Sequence, residues 1–479
     1  MENRIITDGK KQGLLIAIVA ASIFMFTLDY SMLNISLPAV SSYFNVSVGI
    51  VARLPLAYLL VLTSCLLGFG KLGDIKGYAK VFVAGLVIFV AGTILCGIAP
   101  SVNTLLIFRI MQSVGEAMYS PTGIALVAAF LPSNIKGRAL GILATAQGLG
   151  FSLGPALGGF LNTHLSWRAI FFVNVPVAII VIILALKHLP KQQKKSVEAS
   201  FDIAGAALIF VALASLLFGL NSVVKRGWAD PVILGCFAAF AVCFSLFILQ
   251  EKRAPHPLLD LGLFANRDFT LANCAALFAI CVYIGATFLL PFYLQLIRGI
   301  DIARAGLLLM IPSIMMMLLA PFAGRISDSL GSRRLCSFAM IPATVSFCIF
   351  ALLHQTTSVV IIAAALVLLG LALGAFMAPN NKLVMMHAQA DKQGTASGVY
   401  KIVINIGSVF GIALFPLVLA QSILGRIARE HIDKAMVRQS PGIMQDGFQS
   451  AFIFGILLCL AALIFSALAK DKGRERLRE

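Results

Sequence analysis

GKLGDIKGYAK, residues 70–80, returns as GRISDSLGSRR at residues 324–334. Each copy runs glycine, two residues, a small residue, aspartate, two residues and a second glycine before its basic side chains. Each also lies between two long apolar runs, so the string is a loop between helices and its recurrence marks a duplicated half-chain. The chain around it has 479 residues, 60% hydrophobic and 12% charged, with a mean hydropathy of +0.97. Apolar runs of about twenty residues recur from end to end, the length a lipid-crossing helix requires. The short alternating segments of an outer-membrane barrel are absent. The reading is an all-α polytopic membrane protein.

Marking the runs gives fourteen spans, at 14–36, 48–69, 81–99, 104–130, 139–161, 169–189, 203–223, 231–250, 271–297, 305–323, 335–354, 358–381, 396–422 and 448–469. LPKQQKKSVEAS, residues 189–200, is the clearest soluble stretch and separates six spans from the rest. The repeated loops follow spans 2 and 10, which fits two six-span bundles only if spans 7 and 8 are an insert. The expected organisation is a six-span bundle at 1–189, a basic linker at 190–202, a two-span hairpin at 203–250, a second linker at 251–270, a six-span bundle at 271–469 and a basic tail at 470–479. An even span number puts both termini on one side. With that side cytoplasmic, about 25 Lys and Arg fall in cytoplasmic segments and about nine outside, four of them in one long loop near 424–447.

The formal charge of +17 follows from this bias and does not call for a nucleic-acid partner. The nine cysteines show neither CxxC nor paired spacing, so no metal site, disulfide framework or cofactor is expected. Lys10 and Lys11 precede a first run too long for a signal peptide, which reads as a retained span. GxSxG around Ser152 falls inside a span, where no strand-to-helix turn can expose a nucleophile, and the chain reads as no enzyme.

Asp29, Arg53, Arg109, Glu116 and Lys401 lie inside spans, where a charge is a functional candidate by default. Arg53 and Lys401 lie close enough to span ends to snorkel. Arg109 and Glu116 are two helical turns apart on one face, about 10 Å of rise, and each needs its own partner. A carboxylate in a low-dielectric site favours its protonated form, and a change in hydration or a nearby cation releases that proton. Asp29 is therefore a candidate proton carrier, and the competing role is a permanent ion pair with Arg53 or Arg109. Gly150, Gly154 and Gly158 recur every fourth residue, a face that lets another helix approach closely, and Pro155 favours a bend. In the two loops Asp74 and Asp328 can cap a helix or pair with a base such as Arg333. Tyr30, Asn34, Gln112, Tyr119, Gln147, Asn174, Tyr293, Gln295, Asn380 and Asn405 are polar groups inside spans, and as a set, with Arg53 and Lys401, they could line a cavity for an amphipathic substrate.

These motifs together resemble the major facilitator superfamily and, within it, the fourteen-span drug:proton antiporter family. LDYSMLNISLP at 28–38 is similar to that family's span-1 motif, GKLGDIKGYAK to the loop 2–3 signature, RIMQSVGEA at 109–117 to the span-4 basic motif and GFSLGPALGGF at 150–160 to the span-5 antiporter motif. WRAIFFVNVPV at 167–177, FDIAG at 201–205 and GTASGVYKIVINIGSVFGIAL at 394–414 resemble its later segments. The chain departs from the pattern at Ile75 and Tyr78, where the loop signature has basic residues, and at Arg53, where Trp is common. Lys401 and Asn405 stand where exporters of cationic drugs can carry acidic residues.

The resemblance implies the major facilitator fold, two six-helix bundles plus two inserted helices, working as a monomer in the bacterial cytoplasmic membrane with a cavity between the bundles. It implies a proton-coupled exporter of amphipathic or toxic compounds, of the multidrug efflux and antibiotic-resistance type, with no ATP site. Asp29, Arg109 and Glu116 would couple protons. Gly70, Gly73, Asp74 and Gly77, with Gly324, Asp328, Gly331 and Arg333, would form a conformational latch, and Gly150, Gly154, Pro155, Gly158 and Gly159 the antiporter helix face at a gate. Export of an anionic or zwitterionic lipid, siderophore or metabolite is the alternative, because three basic residues accompany two mid-span acids. A non-transporting receptor or scaffold is a further one.

Overall fold

The computed structural model describes residues 6, 8–190, 202–253, 261–387, 393–430 and 441–470. Residues 191–201 of the basic linker, 254–260 of the second linker, 431–440 of the long loop and 471–479 of the tail lie outside them. The described residues are 90% helix with no strand. Fourteen helices have 15 residues or more: α1 Gly9–Tyr43, α2 Arg53–Lys76, α3 Tyr78–Gly97, α4 Val102–Phe130, α5 Ser133–His164, α6 Asn174–His188, α7 Ile203–Arg226, α8 Pro231–Arg253, α9 Arg267–Phe292, α10 Ile311–Leu330, α11 Ser332–Ala351, α12 Val359–His387, α13 Gln393–Glu430 and α14 Pro441–Leu468.

Among the described residues twelve candidate spans are long and apolar enough to cross a membrane, where the apolar runs predict fourteen. The two helices that fall short are α4 and α7. Arg109, Gln112, Ser113 and Glu116 dilute the hydropathy of α4, and all four are buried inside the protein. In α7 the apolar stretch among the described residues is Ala207–Leu220. Helix ends also outrun the apolar runs, because a cap and not the last apolar residue decides where a helix begins. Asp8 accepts from Lys10 N and starts α1 five residues before Leu14, and Ser101 and Thr104 form a reciprocal capping box at α4. α9 ends in a π-helical turn, Tyr293–Ile297, just past Pro291, which cannot donate to the ladder.

By its contacts the chain divides into two compact units, one of Met1–Ala214 with Cys243–Leu258 and one of Ser215–Val242 with Leu259–Glu479. Each is paired internally in the same way. In the first unit α1 packs on α5, α3 on α4 and α2 on α4; in the second α9 packs on α13, α11 on α12 and α10 on α12. Adding eight to each helix number converts one set into the other, as a duplicated bundle with a two-helix insert requires. The repeated loop has the same backbone conformation in both copies. Gly77 (φ 94°, ψ 128°) joins α2 to α3 and Gly331 (φ 89°, ψ 140°) joins α10 to α11, a conformation only glycine adopts without strain. The amide of Gly77 donates to the Gly73 carbonyl at 2.9 Å and that of Gly331 to Ser327 at 3.0 Å.

The glycine face of α5 lies against α1, inside the first unit. A Cβ on Gly154 would sit 2.7 Å from Ser31 Oγ, and one on Gly158 2.7 Å from Ile35 Cγ2. Ser31 Oγ donates across the seam to the Phe151 carbonyl at 3.2 Å. In the second unit Gly407 of α13 meets α9 equivalently, 2.6 Å from the Leu277 carbonyl. Of the inserted hairpin, the tip belongs to the second unit, where Leu220, Val223 and Ile233 bury against Leu417 of α13. Its base belongs to the first, where Asp202 caps α7 through the Gly205 amide at 2.8 Å and accepts from Gln250 at 3.1 Å.

Candidate functional site

The tight α1–α5 seam fixes the backbone of α1 on both sides of Asp29 and turns its carboxylate away from lipid toward α4. Asp29 is 1% exposed and Arg109 0%. Arg109 Nη1 donates to Asp29 Oδ2 at 2.6 Å and to Gln112 Oε1 at 2.6 Å. Gln112, one turn along α4, donates from Nε2 to Asp29 Oδ1 at 3.2 Å and to Thr93 Oγ1 at 2.8 Å. Thr93 in turn donates to the Phe89 carbonyl at 2.7 Å, which orients its oxygen toward the glutamine. α3 can present Thr93 this closely because Gly92, beside it, leaves room for the Gln112 backbone.

Glu116 sits two turns along α4 from Arg109 and is 1% exposed. Its partner is Tyr58 of α2, whose hydroxyl donates to Glu116 Oε2 at 2.6 Å. The same Tyr58 ring lies under the Arg109 guanidinium, 4.3 Å from centroid to Cζ. Tyr58 is itself held by Ser113, whose hydroxyl donates to the Tyr58 carbonyl at 2.6 Å. One aromatic side chain thus touches both charges, by its face and by its oxygen. The Nε and Nη2 of Arg109 have no hydrogen-bond partner among the described residues, which leaves the bidentate edge of a buried guanidinium unused.

The charge balance of this cluster decides what it can do. It contains two carboxyl groups and one guanidinium, all buried. With both carboxyls ionised it carries a net negative charge in a low-dielectric interior, and one added proton makes it neutral. An isolated buried charge costs far more than a neutral, hydrogen-bonded group.

The other residues singled out in the sequence fall in several places. Tyr30 is buried beside Phe26 and Phe151, and Tyr119 is buried edge-on to Phe82 and Phe89. Asn34 is half-buried on α1, Gln147 is on the exposed face of α5, and Asn405 is half-buried on α13. Asn174 is buried at the start of α6. Arg53 is the first residue of α2 and half-buried, and Lys401 is exposed on α13. In the second unit Tyr293 donates to the His354 carbonyl at 3.2 Å and packs on Phe448, a structural seat, while Gln295 is half-buried in the π turn. Asn380 is buried and donates to the Ala272 carbonyl at 3.2 Å. In the repeated loops Gly70, Gly73, Gly77, Gly324 and Gly331 are placed and Arg333 is exposed, but the side chains of Asp74 and Asp328 lie outside the described residues. Pro155 and Gly159 are inside α5 and Ser152 is buried mid-helix. Among the described residues no group of three His, Cys, Asp or Glu could hold a metal ion, and all nine cysteines are free thiols.

Tyr58, Thr93 and Ser113 were not foreseen from the sequence. Tyr58 carried a signal, a lone phenol in the apolar run of α2. Thr93 and Ser113 carried none, since hydroxyls in spans usually satisfy themselves on their own helix.

Comparison with known proteins agrees with this architecture. Residues 19–412 match the Major Facilitator Superfamily. Over 414 residues the chain is 33% identical to the riboflavin transporter RibZ of Clostridioides difficile, covering 86% of this chain and 90% of that protein. It is 29% identical over 405 residues to the tetracenomycin C resistance and export protein of Streptomyces glaucescens, 85% of this chain and 75% of that one. Among solved structures, a bacterial homologue of the human lysosomal transporter Spinster matches with a TM-score of 0.71 at 16% identity, over 96% of this chain and 97% of that one.

Proposed function

The chain belongs to the Major Facilitator Superfamily, and we propose that it is a proton-coupled secondary transporter exporting amphipathic compounds by alternating access, with both termini cytoplasmic. The observation that carries this reading is the buried cluster of Asp29, Glu116 and Arg109, two acids and one base that a single proton neutralises. In the ion-paired form, Asp29 is ionised and bound to Arg109. A proton delivered to Asp29 weakens that bond, frees the guanidinium and lets α1 and α4 separate, and re-forming the pair expels the proton. An elementary charge crossing the membrane gains about 2.3 kcal/mol per 100 mV, enough to drive roughly tens-fold accumulation per proton. Export, as opposed to uptake, is supported by the relative that is a resistance and export protein.

The test is efflux of a fluorescent lipophilic cation from pump-deficient bacteria expressing wild type or Asp29→Asn, with and without a protonophore. Efflux by wild type that is lost both in the variant and on uncoupling is the expected result. A variant that exports as well as wild type removes Asp29 from the proton path.

A second reading concerns the cargo. The 33% identity to a riboflavin transporter and the unused edge of Arg109 favour a polar or anionic metabolite held by the guanidinium. Flux of radiolabelled riboflavin in the same cells separates the two: saturable flavin movement without cation efflux moves the assignment to a metabolite.

A further inference from the structure

One cavity of the second unit stands apart from the coupling cluster. It has a volume of about 300 Å³ and is lined by Arg333, Arg334, Ser337 and Phe338 of α11 and by Ala467 at the end of α14. Among the described residues none of the lining groups is acidic. Two guanidinium groups therefore share a pocket with the first turn of α11, whose backbone amides add partial positive charge at that end, while the Ser337 hydroxyl donates to the Arg333 carbonyl at 3.0 Å.

What lies next to the pocket is apolar and exposed. Phe338, Ile341 and Val345 recur at helical spacing along α11 and are 61%, 48% and 45% exposed. Leu457, Leu460, Ile464 and Leu468 do the same along α14, at 60%, 41%, 53% and 49%. α11 and α14 pack against each other, so both stripes start at the basic pocket and run away from it along adjacent spans. A soluble phosphate would need the arginines but not the stripes. A molecule with a phosphate at one end and hydrocarbon at the other matches both.

We propose that the α11–α14 cleft binds an anionic phospholipid, its phosphate on Arg333 and Arg334 and its acyl chains along the Phe338 and Ile464 stripes. The proposal requires only that α11 and α14 cross the bilayer, and it is independent of the cargo and of the proton. Recognition is by charge at the headgroup and by shape at the tails, so phosphatidylglycerol or cardiolipin is taken in preference to a zwitterionic lipid of the same chains.

Native mass spectrometry of the purified full-length protein tests this, titrating phosphatidylglycerol, cardiolipin or phosphatidylcholine in mixed micelles. Each arginine is expected to contribute about fivefold in affinity for the anionic lipids. Arg333→Ala/Arg334→Ala then loses the preference over phosphatidylcholine, while Lys252→Ala/Arg253→Ala, a basic pair at the end of α8, keeps it. Should the alanine pair denature, Arg334→Gln at its exposed position carries the test alone, with a fivefold loss expected. Phe338→Ser separates lipid from free phosphate: it should weaken phosphatidylglycerol, and sn-glycerol phosphate at millimolar concentration should not displace the lipid. Equal titrations for wild type and the arginine variants overturn the proposal, as does displacement by glycerol phosphate, which would make this a site for a soluble phosphate.

Discussion

Asp29→Asn removes the counter-charge of a guanidinium that is 0% exposed, and the geometry sets how much that costs. Asp29 accepts from Arg109 at 2.6 Å and from Gln112 at 3.2 Å. An asparagine has one oxygen for these two donors, so its amide nitrogen faces a donor in either rotamer. Glu116 cannot substitute, because it lies two turns along α4, about 10 Å of rise away. Arg109 keeps only Gln112 Oε1 and the Tyr58 face. Breaking a buried pair in this way costs about 3–5 kcal/mol, or about 10 °C in the denaturation midpoint for a unit of this size. The double variant Asp29→Asn/Arg109→Gln removes the stranded cation as well, and recovers about 3 kcal/mol of that loss. Its midpoint should return close to wild type while proton-driven efflux stays absent. The assay is a double-mutant cycle on purified protein, read by intrinsic fluorescence during heating, with efflux from cells in parallel. Strictly additive losses in the cycle would show that the pair is not coupled, and wild-type efflux by the double variant would refute the assignment of coupling to this site.

Tyr58→Phe keeps the ring under Arg109 but deletes the 2.6 Å bond to Glu116; a loss of about 1.5–3 kcal/mol is expected for a bond to a charged group, with Tyr58→Ala losing more, both read by thermal midpoint and efflux rate. Gly154→Val forces a branched side chain toward Ser31 and Met32, and should cost about 1–3 kcal/mol by overpacking, whereas Gly141→Ala on the same helix has nothing within 4 Å and should be neutral; size-exclusion profiles and midpoints of the two variants make the comparison. Gly77→Ala and Gly331→Ala each impose positive φ on a residue with a Cβ, so each should lose about 1–2 kcal/mol; unequal losses would argue that the two loops are not structurally equivalent.

Most of the fold could be read from the sequence because membrane helices write themselves in runs of apolar residues and the Gly–Asp loop recurs with its two glycines and its aspartate in the same register. The count of spans was less secure, and α4 shows why: it carries the buried polar groups Arg109, Gln112, Ser113 and Glu116, which lower the very hydropathy by which spans are recognised. The same exchange holds at α5. Its glycine stripe announces a close neighbour but not which one, because Thr27 and Ser31 of α1 are legible as partners only once the two helices are placed side by side.

The coupling cluster divides along the same line. Asp29, Arg109 and Glu116 stand out in one dimension because a charge in a lipid-length run needs a reason. Their pairing does not, since the bonds join positions 80, 83 and 58 residues apart. Nor does a list of charges contain the role of Tyr58, a neutral residue that holds one charge by its ring and the other by its hydroxyl. That bridge has a consequence for mechanism. Replacing either carboxyl changes what Tyr58 and Arg109 must balance, so losses from Asp29 and Glu116 variants are expected to be non-additive.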